Sequence, residues 1–368
     1  MKTFVCLLVL SVCASAGVSV STPAKTSTSS SPVHFVAKAT TSCSKGVYSM
    51  GIYTAPYVLS YKVKGSSMNT YLPLKAGTYH TMVQEWDRCG RSSKTPITIT
   101  VKSSTASTIP LSSHVFVVME ENHSYSSVIG SSSAPYLNSL ASKYAVATQY
   151  YANTHPSIGN YFMLTTGQTI TNHDGTCSTI SADNIVRHLL NAGKTWKSYA
   201  DSLPYTGYTG CSSGNYVKRH NPFAYFSDVA NSSDKSNLVP FTQFSKDLAN
   251  DDLPQFSFIV PNLQHDGHDG TLQQADAWLK TNIAPLIASS TFQKDCVLII
   301  VFDESKDSDT AHGGGHIAAV VVGPGVKHGY KSSKLYQHQN TLKTLMRMIG
   351  VQTYPGAASG AEMMSDFF

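Results

Sequence analysis

The segment HVFVVMEENHSY, from His114 to Tyr125, constrains the fold of this chain more than any other part of the sequence. Its run of apolar, β-branched residues predicts a strand buried on both faces, as in a parallel sheet covered by helices. Glu120, Glu121 and Asn122 follow at the carboxyl end of that strand, where open α/β sheets bind their ligands. Acidic residues also occur at strand ends simply because they remain solvated there, so this segment alone does not establish a ligand-binding site.

The same pattern recurs in CVLIIVFDE, residues 296–304, where a second apolar run ends in Asp303 and Glu304. Two such strands can bring four or more oxygen ligands to one point, which suits a hard divalent cation. Oxygen ligands favour calcium, magnesium or manganese, and an added histidine would admit zinc. The repetition favours a binding site over simple solvation of the acids.

The beginning of the chain has the pattern of an export signal. Residues 1–16 contain Lys2, an apolar core and the small residues Ala14, Ser15 and Ala16 at a cleavage site. The apolar core is too short for a permanent membrane span, and no later apolar stretch reaches that length. We therefore expect a secreted protein, extracellular or periplasmic, without a transmembrane segment.

Composition narrows the partners and the covalent links. The net charge of +5 becomes +4 once Lys2 leaves with the signal, a mild excess spread along the chain, so nucleic-acid binding is not expected. An exported protein can keep disulfides. Pairing within regions predicts Cys43–Cys89 and Cys177–Cys211, with Cys296 left as a buried thiol. The absence of Cys-x-x-Cys spacing in the sequence argues against a structural zinc site.

Shifts in composition predict the domain organisation. Residues 17–32 and 103–113 are rich in Ser and Thr and predict linkers. Residues 33–102 contain short alternating runs between turns, which is typical of a small immunoglobulin-like β-sandwich. That sandwich lacks a cluster of catalytic residue types, so we expect a spacer or a module for a surface or polymer ligand.

Residues 114–368 alternate apolar strands with helical segments and predict one large α/β domain. Strands are expected near residues 115–119, 195–199, 255–260, 297–302 and 317–322. Helices are expected near residues 135–143, 158–166, 182–191, 272–287 and 335–349. Residues 205–234 lack a clear period and predict a structured insertion.

Ser157, in the motif THPSIGN, is the candidate nucleophile. A hydroxyl just before a helix meets free backbone N–H groups and the positive end of the helix dipole, which favours an incoming phosphate. The same field, with a metal, would lower the pKa of the hydroxyl enough for attack. Asn160, one turn on, is placed to donate to a phosphate oxygen. The alternative is that Ser157 is an ordinary helix N-cap.

Three further groups of residues carry possible chemistry. The loop NLQHDGHDG follows a predicted strand, and its Asp266 and His268 are candidate ligands. Three cationic or hydrogen-bond-donating residues are consecutive in the sequence: Lys218, Arg219 and His220. Such a cluster indicates either a phosphate-binding clamp or a solvated loop. His316 begins an apolar strand after three glycines, and it either binds substrate or caps the strand end.

Seven motifs, including HVFVVMEENHSY, HPSIGNYFMLTTG, FIVPNLQHDGHDG and VLIIVFDE, occur here in the order found in the bacterial phosphoesterase family. That family includes acid phosphatases and phosphatidylcholine-type phospholipases C. The chain resembles it from His114 to about residue 350, and most resembles secreted acid phosphatases of the phosphatidylinositol-3-phosphatase type. The resemblance implies an alkaline-phosphatase-like α/β/α sandwich acting on a phosphate-ester substrate.

The resemblance also implies roles for individual residues. Ser157 matches the nucleophile, the acid-amide pair Glu121 and Asn122 matches metal ligands, and the acidic pair Asp303 and Glu304 matches the second set of metal ligands. Asn160 and Asp266 match positions that line the phosphate site, where Lys218 and Arg219 are further candidates. Three histidines remain open as the proton donor to the leaving group: His220, His268 and His316.

These observations predict a secreted, metal-dependent acid phosphatase that hydrolyses phosphate monoesters through a phosphoseryl intermediate, with phosphoinositides among the candidate substrates. A phospholipase C-type phosphodiesterase on the same scaffold is the alternative enzyme. A non-catalytic surface-binding protein is the alternative of another class. Intact Ser157 and both acidic pairs argue against that last alternative.

Overall fold

The chain folds into two compact units that divide between residues 106 and 107. The computed structural model describes residues 17–29, 31–102 and 109–368, so the predicted signal peptide lies outside the described residues. Within those ranges, no helix has both the length and the apolar character needed to cross a bilayer.

The first unit consists of two β-sheets that enclose an apolar core, which includes Phe35, Ile52 and Val83. One sheet has the order β1-β3-β6 and the other the order β2-β8-β7-β4-β5. The strands are β1 Gly17–Thr22, β2 Thr26–Ser29, β3 Val33–Thr40, β4 Val47–Ala55, β5 Val58–Lys64, β6 Ser67–Leu72, β7 Gly77–Asp87 and β8 Ser92–Val101.

The predicted linker over residues 17–32 is wrong, because two strands form there. Strand β1 pairs antiparallel with β3, and β2 pairs parallel with β8. Val18 and Val20 alternate with serine in β1, and Val18 is buried. The abundance of Ser and Thr concealed this two-residue period, although Thr itself fits a pleated, half-buried strand.

The second unit is built on a mixed eight-stranded sheet with the order β14-β11-β15-β9-β16-β17-β10-β18. Its central strands β9, β15 and β16 are buried along their whole length, as continuous apolar runs require when helices cover both faces. The strands are β9 Val115–Glu120, β10 Ala145–Ala147, β11 Trp196–Ala200, β14 Leu238–Pro240, β15 Phe256–Val260, β16 Val297–Phe302, β17 Ala319–Val322 and β18 Tyr330–Ser332.

Helices complete the second unit: α1 Tyr125–Val128, α2 Pro135–Lys143, α3 Ile158–Thr166, α4 Ile185–Asn191, α5 Ser227–Ala230, α6 Thr242–Ala249, α7 Leu272–Ala288, α8 Ser290–Asp295 and α9 His338–Met348. The predicted α/β architecture is confirmed, and α2 and α3 have the predicted bounds. The predicted insertion contains short 3-10 helices, α5 and a small hairpin, with strands β12 Ser212–Ser213 and β13 Tyr216–Val217.

Strand direction decides which loops share an edge of the large sheet. Strands β15, β9 and β16 are parallel, so the loops that follow them meet at one edge. Strand β17 is antiparallel to β16 and to β10. The residues that precede β17, including His316, therefore reach the same edge as the residues that follow β9 and β16.

The predicted linker over residues 103–113 ends too late. Ile109 packs in the core of the second unit. The Ser112 backbone N–H donates to the carbonyl of Met348 at 2.8 Å, and the Ser113 hydroxyl donates to Asp295 at 2.7 Å. Residues 109–113 are thus part of the second unit, attached by burial and by hydrogen bonds.

The predicted cysteine pairing is confirmed. Disulfides join Cys43 to Cys89 in the first unit and Cys177 to Cys211 in the second. Cys296 is a buried free thiol, as expected for a residue at the start of an apolar strand.

A chain shortened to begin at Ile109 should keep the stability of the second unit, whereas one that begins at His114 should not. The shorter chain loses the buried Ile109 side chain and the hydrogen bonds of Ser112 and Ser113. We expect its free energy of unfolding to fall by about 2–5 kcal/mol. Equal unfolding midpoints in denaturant for both shortened chains would contradict this boundary.

Candidate active site

Buried carboxyl groups converge at the edge of the large sheet where β15, β9 and β16 end. Glu121 follows β9, Asp303 and Glu304 follow β16, and Asp266 lies in the loop after β15; all are buried. Backbone hydrogen bonds tie the loops together, from Glu121 N–H to the Asp266 carbonyl and from Asp303 N–H to the Glu120 carbonyl, each at 2.8 Å. Three adjacent strands therefore deliver acids to one place.

Ser157 lies among these carboxyl groups and is itself buried. Its Oγ is 3.1 Å from Glu121 Oε2 and 3.3 Å from Glu304 Oε1, so the hydroxyl has two possible acceptors, which follow two different strands. The ordinary N-cap role is not what the structure shows, because the Ser157 side chain makes no capping hydrogen bond. Asp174 Oδ1 instead accepts from the N–H of Ile158, the first residue of α3, at 3.1 Å.

The turn before Ser157 is held by Asn160. Asn160 Oδ1 accepts from the N–H groups of Asn153 at 2.9 Å and Thr154 at 3.2 Å. Its Nδ2 donates to the Thr154 carbonyl at 2.8 Å. The structure thus places the Asn160 amide against the backbone that leads to Ser157, where it fixes the position of the hydroxyl.

Two residues that sequence reasoning missed also contact the acids. His155 Nδ1 lies 2.7 Å from Glu304 Oε2, and its Nε2 lies 2.9 Å from the Asp309 carbonyl. The Tyr161 hydroxyl donates to Glu121 Oε1 in a short hydrogen bond. Tyr161 is four residues beyond Ser157, one turn along the same helix face, and this spacing could have identified it.

His220 and His268 come from segments remote in sequence from Glu121, and His220 approaches the same Glu121 oxygen that the Tyr161 hydroxyl contacts. His220 is buried, with Nδ1 3.1 Å from Asp266 Oδ2 and Nε2 3.3 Å from Glu121 Oε1, and its ring stacks on Tyr161. Burial, followed by the positive charge of Arg219, lowers the pKa of His220 well below its usual value. A neutral imidazole beside carboxylates is the form that binds metals.

Burial and mutual repulsion raise the pKa values of the carboxyl groups in this site, so a bound cation is needed for all of them to be ionised. Burial raises the pKa of Glu304 to about 9 and that of Asp303 to about 6, and repulsion from Asp303 adds to the shift of Glu304. The pKa of Glu121 is also raised, by burial and then by repulsion from Asp303. A bound divalent cation would reverse these shifts, because it favours the ionised carboxylates.

The side chains fit such a cation on both sides of Ser157. Donor atoms of Glu121, His220 and His268 all lie within 4.8 Å of one another, and so do those of His155, Glu304 and Asp307. Asp303 Oδ2 is buried without a hydrogen-bond partner. A buried carboxylate oxygen left unpaired is the kind of atom that a metal ion satisfies.

Asn122 contributes to this arrangement through its backbone. It adopts a left-handed conformation with φ 54°, and its N–H donates to Asp303 Oδ1 at 3.0 Å. The N–H of Glu304 donates to the same oxygen at 2.5 Å. Both bonds orient Asp303 so that its other oxygen, Oδ2, remains unpaired.

The remaining predicted residues occupy different surroundings. Arg219 is partly exposed, with Nη2 3.1 Å from His268 Nε2 and its Nε without a hydrogen-bond partner in the described structure. Lys218 is buried and donates to the Cys177 carbonyl at 2.9 Å, above the Tyr225 ring. The residues of the predicted phosphate clamp therefore do not act together, because Arg219 is partly exposed whereas the Lys218 side chain is bound within the insertion.

His316 is held apart from Ser157 by its own contacts. Its Nε2 lies 3.1 Å from the Thr148 carbonyl, and its ring stacks on Tyr125 and on Tyr151. Its backbone N–H donates to Asp309 Oδ2 at 3.0 Å. Through Asp309, His316 adjoins the loop that holds His155.

Comparison with known proteins identifies relatives of this chain. Residues 131–352 match the model of the Phosphoesterase family. A phosphatidylinositol-3-phosphatase of Mycobacterium tuberculosis is 35% identical over 265 residues, which cover 72% of this chain and 85% of that protein. A probable acid phosphatase of Kluyveromyces lactis is 32% identical over 243 residues, 62% of this chain.

The chain spans little more than half of the fungal relatives, 56% of the Kluyveromyces protein and 53% of an Aspergillus fumigatus acid phosphatase. Among solved structures, a protein in the alkaline phosphatase superfamily from Vibrio parahaemolyticus superposes with a TM-score of 0.47 and 15% identity. That superposition covers 69% of this chain and 71% of the other, and it is too loose to carry an argument. On the family match and the mycobacterial relative, the chain belongs to the phosphoesterase family.

Proposed function

We propose that this protein is a metal-dependent acid phosphatase that hydrolyses phosphate monoesters through a phosphoseryl intermediate. One observation carries the proposal: the buried Ser157 hydroxyl lies within hydrogen-bonding distance of two carboxyl groups, those of Glu121 and Glu304, which come from two different strand ends. A structural serine needs one acceptor, whereas a nucleophile needs groups that take its proton. Relatives named as phosphatases support a phosphate ester as the substrate.

The chain's own residues account for the first chemical step. Ser157 Oγ forms a bond to phosphorus as the ester P–O bond breaks, and the bonding pair leaves with the alcohol oxygen, which takes a proton from the donor histidine. The Ser157 proton passes to Glu121 or Glu304, either of which can accept it in the ionised form that a bound cation would favour. Water then attacks the phosphorus, its proton returns to the donor histidine, and the bond from phosphorus to Ser157 Oγ breaks. Ser157 Oγ recovers its proton from the carboxyl group, and inorganic phosphate is released.

A divalent cation would be held by carboxylates and histidines on the two sides of Ser157. When bound, it would stabilise an ionised serine oxygen and withdraw charge from the phosphate. The residues that we assign to this role are Glu121, His220, His155, Asp303, Glu304 and Asp307. This set keeps three of the ligands predicted from the sequence and assigns Asn122 to orienting Asp303.

Arg219 is the residue best placed to bind a phosphate oxygen. Its guanidinium is partly exposed beside His268, and its Nε makes no hydrogen bond within the described residues although it lies 4.0 Å from Asp174 Oδ2. Arginine offers several donors in a planar fork that matches phosphate. Among the three histidines predicted as the proton donor, His220 is buried and His316 contacts Thr148, so the partly exposed His268 is the one that we assign as donor rather than as cation ligand.

We also propose that the protein is exported and that its catalytic unit has the alkaline-phosphatase-like arrangement. Disulfides in both units support an oxidising compartment. An immunoglobulin-like topology for the first unit remains part of this proposal, supported by its two packed sheets and shared core.

Replacing Ser157 with alanine should lower kcat on a small aryl phosphate by at least about 1,000-fold, since the nucleophile is lost. The melting temperature and the affinity for divalent cations should change little, because Ser157 makes no capping bond. Ser124→Ala provides a matched control, as Ser124 is a buried serine near the same edge but outside the cluster. A Ser157→Ala enzyme with near-normal turnover would remove Ser157 from the mechanism.

Replacing Asp303 with asparagine should have opposite effects on stability with and without metal. Burial raises the pKa of Asp303 to about 6, above its unfolded value, so its charge destabilises the metal-free fold at about pH 8. With a chelator, the variant should therefore gain about 1–3 kcal/mol in the free energy of unfolding. With excess manganese or magnesium, it should lose most of the stabilisation seen in the parent protein.

Asp247→Asn is the matched control for this experiment. Asp247 is another buried aspartate, but it is paired with Lys197 at 2.6 Å, so its loss should lower stability in both conditions. The stabilisation by metal should be unchanged in that control. A full metal response in Asp303→Asn would show that Asp303 is not a ligand.

Replacing Asn160 with alanine distinguishes a positioning role from the substrate-binding role predicted from the sequence. The variant loses three hydrogen bonds to the turn before Ser157, so the free energy of unfolding should fall by about 2–4 kcal/mol. We expect kcat to fall with it, because Ser157 loses its fixed position. Unchanged unfolding in denaturant with a raised KM would instead support direct binding of phosphate by Asn160.

A further inference from the structure

Charge is distributed very unevenly between the two units. Residues 17–102 contain eight lysines and two arginines against two acidic residues, a net charge of +8, whereas residues 109–368 carry 16 basic and 20 acidic residues, a net charge of −4. The even spread of basic residues expected from the sequence is therefore wrong. The positive net charge of the chain therefore comes from the first unit, which we call the small unit.

The surface of the small unit has an even larger excess of positive charge than its composition indicates. All ten basic residues are exposed, while its acidic residues, Glu85 and Asp87, are buried. Among the described residues of this unit, no acidic side chain reaches the surface to offset the lysines. A surface without acids at this charge density attracts polyanions and anionic membranes.

Strand pairing places three of these lysines on one face of the five-stranded sheet. Lys62 pairs with Gly51, Gly51 with Gln84, and Gln84 with Lys94, which forms one row across four strands. Directly opposed residues point to the same side of a sheet, so Lys62 and Lys94 share a face roughly 14 Å apart. Lys64 lies in the next row on that side.

Aromatic and apolar groups lie between these lysines. Lys64 pairs with Ser49 and Ser49 with Trp86, so the indole is on the same face, and Lys62 Nζ lies 5.1 Å from the indole ring centre. A Cβ on Gly51 would meet Leu59 at 2.8 Å and Trp86 at 3.0 Å, so glycine lets both side chains close over the sheet. We call Lys62, Lys64, Lys94, Trp86 and Leu59 the cationic face.

The hairpin that carries the cationic face ends in exposed apolar residues. Tyr57 is fully exposed at 100%, in the turn between β4 and β5, and Val58 is 50% exposed. Leu59, at 42%, continues this surface onto the cationic face. A contiguous exposed tip of this kind indicates an apolar partner, because single apolar residues are usually scattered over a protein surface.

We propose that the cationic face and the Tyr57–Val58 tip bind the surface of an anionic lipid bilayer. The lysines meet the phosphate-bearing headgroups, and the tyrosine lies at the level where aromatic side chains anchor proteins at membranes. Nucleic acid would also satisfy the lysines, but it would leave the exposed Tyr57 and Val58 in water. This inference concerns the small unit and does not depend on the proposed phosphatase activity.

The test is co-sedimentation of the full chain with vesicles, in low and in high salt. Phosphatidylcholine vesicles that contain phosphatidylserine should bind the protein, and vesicles of phosphatidylcholine alone should not. Lys62→Gln, Lys64→Gln and Lys94→Gln combined should weaken binding on the order of 100-fold, at about five-fold for each lysine. Absence of binding to the anionic vesicles overturns the proposal.

A matched triple variant distinguishes the effect of the cationic face from the effect of the total charge of the unit. Lys38, Lys75 and Lys102 are exposed on the same unit but lie outside the cationic face. Changing all three to glutamine removes the same charge, so a much smaller loss of binding is expected. Equal losses in the two triple variants, or equal affinity for double-stranded DNA, would contradict a specific membrane-binding face.

The tip has its own variant, Tyr57→Asn. Tyr57 has φ 63°, a left-handed conformation that asparagine tolerates better than tyrosine, so folding should be preserved. High salt screens the charges, so vesicle binding that remains in high salt measures the apolar contact. Tyr57→Asn should lose this salt-resistant binding and keep the binding seen in low salt. Unchanged salt-resistant binding would exclude the tip from the membrane contact.

Discussion

Repulsion among buried carboxylates is the constraint on which the large unit's site depends. Glu121, Asp266, Asp303 and Glu304 are brought together at one sheet edge, and burial raises the pKa of each. Such groups cannot all be ionised in a low-dielectric site without a counter-charge. The fold maintains this arrangement because three buried parallel strands end side by side, and the unfavourable charge there creates the demand for a cation.

Several residues around the carboxyl groups hold the Ser157 hydroxyl among them. Asp174 caps α3, which leaves the Ser157 side chain free to face Glu121 and Glu304, and Asn160 fixes the turn before it. Tyr161 reaches Glu121 from the same helix. A serine that would otherwise cap its helix is thereby directed into an anionic site, where a bound metal would turn it into a nucleophile.

The sequence predicted the parts whose signal is local. The apolar runs identified β9 and β16, and the acids after them identified Glu121, Asp303 and Glu304 before any contact was known. Strands as short as β10 and β18 have too few residues for a pattern, and their existence depends on pairing with β17 or with each other. Asn160 was expected to face phosphate because helical spacing gives proximity, but spacing does not reveal that the backbone before Ser157 takes its hydrogen bonds.

The stereochemical course of phosphoryl transfer tests the central claim most directly. An ester whose phosphorus is made chiral with oxygen isotopes and sulfur can be transferred by the enzyme to an acceptor alcohol. Attack by Ser157 followed by attack on the phosphoserine comprises two in-line displacements, so the account predicts net retention of configuration. Net inversion would mean a single displacement by the acceptor, and it would contradict a serine nucleophile between Glu121 and Glu304.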